Sequence, residues 1–133
     1  MTILLTNAWV LTLDDAMNQH ERGWVHVEGD TIVAAGSGTA PEVPAAEIVD
    51  CNGDIVMPGT VNAHCHMGMS VFRGLGEDVD DRLYRYILPL ERKFVTADMV
   101  RAGSALSALE MIQGGVTTVA DMYYFETEVG RIA

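Results

Sequence analysis

The sequence predicts an α/β protein in which a β-rich N-terminal segment precedes strands that alternate with helices. Residues 2–57 contain short β-prone runs separated by Gly, Pro, Asn and Asp turn signals. After Pro58-Gly59, predicted strands at 60–66 and 116–120 flank a segment with the three- and four-residue spacing of a helix. This alternation is typical of parallel βα units.

The composition is that of a globular protein, and it excludes several classes of function. The chain has 133 residues, of which 49% are hydrophobic and 20% charged, enough for a domain with its own core. The formal net charge is −11, the opposite of the basic surface that binds nucleic acids or anionic membranes, so we expect neither partner. No apolar run approaches the roughly 18 residues of a membrane span. Two cysteines without a CxxC motif, and an N-terminus without a basic signal region, predict a cytoplasmic protein.

The N-terminal segment, residues 1–57, is expected to form a small β-sheet domain. Thr6-Asn7-Ala8 should be a turn between the first two strands, and Asn52-Gly53 a turn between the last two. Residues 36–46 are rich in Gly and Pro and should form a loop. The predicted strands are residues 3–5, 9–13, 24–27, 31–35, 47–50 and 54–57.

Residues 58–133 are expected to form a second domain of βα type. Its clearest helix begins with Thr96 as N-cap and ends at Gly114-Gly115. Between residues 82 and 94 we expect a shorter helical or irregular segment that Pro89 interrupts. The long helix should bury the face that carries Met99, Ala102, Leu106, Leu109 and either Gln113 or Ile112.

Two histidines at the end of the strand 60–66 are candidate metal ligands. The two-residue period of a strand places His64 and His66 on one face and Cys65 on the other. Imidazole is the commonest protein ligand for zinc or iron, and these metals activate water for hydrolysis. A catalytic zinc takes about three protein ligands and a water. Either Asp121 completes the site, or further ligands lie on another chain, or these residues are part of a longer protein.

Other chemically reactive residues have simpler interpretations. His20 falls in a polar connection and His26 in a short strand, so neither is an obvious third ligand. Cys65 points away from the histidines and is expected to pack rather than to act as a nucleophile. Asp121 ends the second strand of the βα region and could hydrogen-bond nearby backbone. Tyr123-Tyr124-Phe125 follow it and either flank a substrate or pack in the core.

Four ordered motifs resemble the amidohydrolase superfamily of metal-dependent hydrolases. They are Val56-Met57-Pro58-Gly59 leading into Asn62-Ala63-His64-Cys65-His66, then residues 73–78, 87–91 and 114–123. They are most similar to the branch that contains S-adenosylhomocysteine and methylthioadenosine deaminases and triazine chlorohydrolases. The resemblance implies a (β/α)8 barrel flanked by a small β-sandwich. Since a barrel needs roughly 200 residues or more, this chain would hold the N-terminal β-sandwich half and the first two βα units.

The resemblance also implies roles for individual residues. His64 and His66 match the first two ligands of a divalent metal, zinc or alternatively iron. Glu91 matches a carboxylate that contacts ribose hydroxyls in adenosine-type deaminases, whereas Asp121 does not match a ligand. The later ligands and the acid/base residues have no counterpart, so no catalytic residue is expected within these 133 positions.

Two functions from different classes follow. The first is a metal-dependent aminohydrolase that acts on C–N or C–Cl bonds of a small N-heterocycle such as an adenosine derivative, with these residues inactive alone. The alternative is a truncated, non-catalytic remnant that acts as an assembly or binding unit, because two barrel strands leave apolar edges unburied. A homo-oligomer is compatible with either. A structural zinc module ranks last because it would need a Cys/His quartet.

Overall fold

The structure is a computed structural model that describes all residues from Met1 to Ala133. The chain divides into two units, Met1–Pro58 and Gly59–Ala133, and each is described by itself. None of the helices has both the length and the apolar character needed to cross a membrane.

The N-terminal unit is built on one five-stranded sheet. Its strands are β1 (Thr2–Leu11), β2 (Gln19–Glu28), β3 (Thr31–Ser37), β4 (Glu47–Asp50) and β5 (Ile55–Val56). They follow the order β3-β2-β1-β4, and β5 pairs with the far end of β1. The β1–β2 and β2–β3 pairs are antiparallel, whereas β4 and β5 run parallel to β1. The long first strand therefore organises the whole sheet.

The predicted turn at Thr6-Asn7-Ala8 is wrong, because these residues lie inside β1. Asn7 has a φ of 50°, and the pairing of β1 with β2 shifts register between Leu5 and Ala8. The chain thus makes a β-bulge, and asparagine tolerates this left-handed conformation well. The Asn7 side chain also donates a 2.9 Å hydrogen bond to Asp50, which ties the bulge to the end of β4.

The hydrophobic core of this unit is small. Ala8, Val10 and Val25 are buried together, and Leu5, Val27, Cys51 and Val56 pack around them. Strands β2 and β3 form an antiparallel hairpin, in whose turn Gly29 has a φ of 61°. Both strands of that hairpin are longer than predicted, because backbone pairing extends beyond the β-prone residues.

The C-terminal unit contains the predicted parallel strand pair. Strand β6 (Thr60–Cys65) lies beside β7 (Val116–Asp121), with Thr60 opposite Val116 and Cys65 opposite Asp121. Both strands therefore end at the same edge of the sheet. The connection between them contains a 3₁₀ helix at Met67–Phe72, a π-helix at Leu83–Ile87, and the α-helices α1 (Leu88–Phe94) and α2 (Ala97–Gln113). A third α-helix, α3 (Glu126–Ile132), follows β7.

The ends of the long helix α2 are as predicted. The Thr96 hydroxyl accepts a 3.2 Å hydrogen bond from the Met99 amide, and the helix stops at Gly114-Gly115, where Gly115 has a φ of 79°. Pro89 does not interrupt the helical segment: the π-helix at Leu83–Ile87 continues directly into α1, and Pro89 is the second residue of α1, just after the change from π to α geometry.

The predicted buried face of α2 is wrong. Leu106, Leu109 and Ile112 are 46%, 55% and 71% exposed. The buried residues are instead Val100, Gly103, Ser104 and Ser107. The reason is close packing against the 3₁₀ helix: a Cβ on Gly103 would stand 2.5 Å from the carbonyl oxygen of Gly68. Only a face of small residues permits this approach.

Candidate metal centre and substrate pocket

The imidazole rings of His64 and His66 converge at the end of β6. Their Nε2 atoms lie 3.3 Å apart, and the ring planes meet at 79°. The two-residue period of the strand places both side chains on one face, as predicted. The His64 backbone amide also donates a hydrogen bond to the Asn62 side chain within the same strand.

The second histidine is oriented by the neighbouring strand. His66 Nδ1 hydrogen-bonds the backbone carbonyl of Met122, the residue after β7. A carbonyl only accepts, so Nδ1 carries a proton, and in the neutral tautomer this leaves the lone pair at Nε2. Metal-binding histidines in proteins commonly have this arrangement.

The spacing of the two nitrogens fits a divalent metal. Two nitrogen ligands at about 2.0–2.1 Å from a tetrahedral zinc are about 3.3 Å from each other. His64 and His66 show this separation. The donor set is also suitable, since neutral imidazole suits both zinc and iron.

No third ligand completes the centre within this chain. No group of three or more His, Cys, Asp or Glu side chains is close enough to hold a metal ion. Asp121 is engaged elsewhere: its Oδ2 accepts hydrogen bonds from the Met67 amide at 2.6 Å and from the Cys65 thiol at 3.4 Å. The suggestion that Asp121 completes the site is therefore not supported. His20 and His26 belong to the N-terminal unit, where His26 pairs with Glu28.

Cys65 has the character of a packing residue, as expected. Its side chain packs against the core cluster of Met67, Val100 and Val129. Burial, followed by the hydrogen bond and charge of Asp121, raises the pKa of the Cys65 thiol to about 11. The thiol therefore remains protonated near neutral pH and is a poor nucleophile.

Glu91 and His66 line one pocket. Glu91 lies on α1 and is only 7% exposed, which is unusual for a carboxylate. The pocket has a volume of about 250 Å³, and its other lining residues are Met122, Tyr123 and Tyr124. The structure thus places the predicted substrate carboxylate beside a predicted metal ligand.

The loop after β7 contributes more than the sequence indicated. Met122 orients His66 through its backbone carbonyl, and Tyr123 and Tyr124 form one wall of the pocket. Phe125, the third aromatic residue, does not line it. Met122 could have been predicted from its position at the C-terminal end of a parallel strand, because functional residues of βα folds lie at these ends.

The chain belongs to the amidohydrolase family. Residues 55–133 match that family, which confirms the resemblance. The chain is 39% identical over 131 residues to 5′-deoxyadenosine deaminase of Methanococcoides burtonii, covering 97% of this chain and 30% of that protein. It is also 39% identical over 134 residues to 5-methylthioadenosine/S-adenosylhomocysteine deaminase 1 of Syntrophus aciditrophicus, covering 98% of this chain and 30% of that protein.

Comparison with solved structures confirms the fold class. Atrazine chlorohydrolase of Arthrobacter aurescens TC1, solved in complex with zinc, matches with a TM-score of 0.79 at 23% identity, covering 98% of this chain and 33% of that one. The chain spans about 30% of the length of the curated relatives it matches. It has the α/β fold of the N-terminal portion of these hydrolases.

Proposed function

We propose that these residues form the N-terminal portion of a metal-dependent aminohydrolase that acts on an adenosine derivative. The observation that carries this proposal is the convergence of His64 and His66 beside the Glu91 pocket. The names of two relatives support it, because both are deaminases of adenosine derivatives. The triazine chlorohydrolase shares the fold, so a C–Cl bond on a triazine ring is the alternative reacting bond.

The residues of this chain would share the work as follows. His64 and His66 hold a divalent metal, for which we propose zinc, with iron as the alternative. When bound, such a metal activates water for attack on an sp² carbon. The Met122 carbonyl keeps the proton on His66 Nδ1, so Nε2 remains free to coordinate. Glu91 accepts hydrogen bonds from the sugar hydroxyls of the substrate at the pocket wall.

The 133 residues by themselves should not catalyse the reaction. Two histidines cannot define a closed coordination shell, and no third ligand joins them. We propose that the remaining ligands and the proton-transfer groups lie outside these residues, in the cytoplasmic protein to which they belong.

Exposed apolar side chains favour a second candidate, a non-catalytic assembly unit. Leu106, Leu109 and Ile112 are exposed on α2, and the sheet of β6 and β7 has only two strands. Such surfaces promote pairing with another chain. Size-exclusion chromatography with light scattering tests this candidate: it predicts dimers or larger species, and a monomer with a cooperative melt contradicts it.

The proposed enzyme is tested with the complete gene product that contains these residues. Ammonia release is measured from 5′-deoxyadenosine, 5′-methylthioadenosine and S-adenosylhomocysteine, and chloride release from atrazine. We expect metal-dependent deamination that His64→Asn abolishes. Arg92→Gln, on the exposed side of α1, is the matched control and should retain activity. Absence of turnover on all three nucleosides would contradict the proposal, and chloride release alone would replace it with the triazine alternative.

A further inference from the structure

The hydroxyl of Tyr123 is buried and has no hydrogen-bond partner of good geometry. A buried donor without an acceptor is costly, so such a group requires an explanation. Tyr123 lines the same pocket as Glu91, whose side chain is also buried. A phenol hydroxyl is a hydrogen-bond donor and a carboxylate an acceptor, and the two side chains line the same pocket.

The ring of Tyr123 is held in place on several sides. Its centroid lies 6.0 Å from that of His66 and 5.1 Å from that of Tyr124. Gly68 allows the ring to approach, because a Cβ there would stand 2.9 Å from Tyr123 Cδ1. The Tyr123 backbone amide donates a hydrogen bond to the Glu126 carboxylate. The ring is therefore held in a fixed position in the pocket that Glu91 also lines.

We propose that Tyr123 is a positioning residue whose hydroxyl donates to Glu91 and fixes the orientation of its carboxylate. This inference rests on the proposed function, in which Glu91 accepts hydroxyl groups of the substrate. An ionised carboxylate can accept about four hydrogen bonds through its two oxygens. If one oxygen is held by Tyr123, the other is left to face the pocket. Neither group would then be buried without a partner.

This arrangement predicts a defined kinetic effect. Loss of the Tyr123 hydroxyl frees the Glu91 carboxylate to rotate, which weakens binding of the sugar equally in the ground state and the transition state. Uniform loss of binding raises KM and leaves kcat unchanged. The effect should vanish for a substrate that lacks the 2′- and 3′-hydroxyls of the sugar, such as 2′,3′-dideoxyadenosine.

The test is a double-mutant cycle in the complete gene product, with Tyr123→Phe, Glu91→Met and the double variant. We expect Tyr123→Phe to raise KM for 5′-deoxyadenosine about tenfold, the size expected for a hydrogen bond to a charged group. In the Glu91→Met background the same change should alter KM less than about twofold. Tyr84→Phe, at a residue 75% exposed on the π-helix, is the matched control. Equal effects in both backgrounds, or a fall in kcat with unchanged KM, would overturn the proposal.

A thermal-unfolding cycle on the same variants separates this inference from the proposed function. Tyr123→Phe should lower the melting temperature by about 2–4 °C with Glu91 present and by less than about 1 °C with Glu91→Met. If the wild-type protein deaminates no nucleoside, the proposed function and the role of Tyr123 in sugar binding both fail. A melting shift that depends on the presence of Glu91 would still support the Tyr123–Glu91 hydrogen bond. If Tyr123→Phe lowers the melting temperature equally with and without Glu91, that hydrogen bond is refuted, whether or not the protein deaminates nucleosides.

Discussion

The Oδ2 atom of Asp121 accepts a 2.6 Å hydrogen bond from the backbone amide of Met67, the residue that follows His66. The end of β7 thereby fixes the chain as it leaves β6. Asp121 is thus not a ligand of the histidine pair, but it holds the backbone from which His66 projects. Residues that position a metal ligand without binding the metal themselves are known to influence metal affinity strongly.

We predict that Asp121→Ala lowers both stability and metal affinity. The Met67 amide would lose its acceptor, which costs about 1–3 kcal/mol in the free energy of unfolding. Metal affinity should fall about tenfold or more, because His66 is less well oriented. Urea denaturation and zinc titration measure the two effects. Asp80→Ala, at an exposed position in the connection, is the control and should change neither. Unchanged zinc affinity in Asp121→Ala would refute the positioning role.

Two glycines on helices of the C-terminal unit should respond oppositely to a methyl group. Gly103→Ala places a Cβ against the Gly68 carbonyl, so we expect a loss of about 1–3 kcal/mol in the free energy of unfolding. Gly130→Ala on α3 meets nothing within 4 Å and should stabilise by about 0.5–1 kcal/mol through helix propensity. Urea denaturation compares both with the wild type. Equal effects at the two positions would show that α2 does not approach the 3₁₀ helix this closely.

The ion pair between Arg73 and Glu110 should be visible in a pH titration. The guanidinium donates to both carboxylate oxygens, at 3.0 and 2.6 Å, and this holds the pKa of Glu110 below its ordinary value of 4.5. A lowered folded-state pKa means that the pair stabilises the fold above the unfolded pKa, and that this contribution is lost as the pH falls through the folded pKa.

Carbon-13 NMR of the Glu110 carboxyl measures this pKa directly. Arg73→Gln should return it towards the ordinary value, whereas Arg92→Gln should leave it where it is, because Arg92 forms no ion pair. Added salt should weaken the shift, since the pair is exposed. A Glu110 pKa that is the same in wild type and Arg73→Gln would show that the two side chains do not pair in solution.

Local patterns predicted the elements on which the site is built. The period of two in β6 correctly placed both imidazoles on one face, because strand geometry does not depend on distant residues. Both ends of α2, the Thr96 N-cap and the Gly114-Gly115 C-terminus, could also be predicted, because capping depends only on residues within one helical turn. The role of Glu91 as a substrate ligand came from the family resemblance alone and stays a prediction.

Features set by long-range packing could not be predicted. The apolar spacing of α2 indicated the face with Leu106 and Leu109, yet the smaller Gly103 and Ser104 are buried because the 3₁₀ helix packs closely there. Nothing in the sequence places Tyr123 in the same pocket as Glu91. One lies on α1 and the other in the loop after β7, far apart in the chain, and only the tertiary fold brings them to one pocket.

The most direct test of the central claim is zinc binding by the 133-residue chain itself, measured by equilibrium titration and by metal content after gel filtration. The account predicts weak zinc binding that depends on both His64 and His66, because these residues provide only two of the ligands that a zinc ion needs. After gel filtration, less than about 0.1 zinc per chain should remain bound. His64→Asn and His66→Asn should each remove the weak binding, and His20→Asn should not. Tight binding of one zinc per chain, or binding that survives loss of both histidines, would contradict the claim.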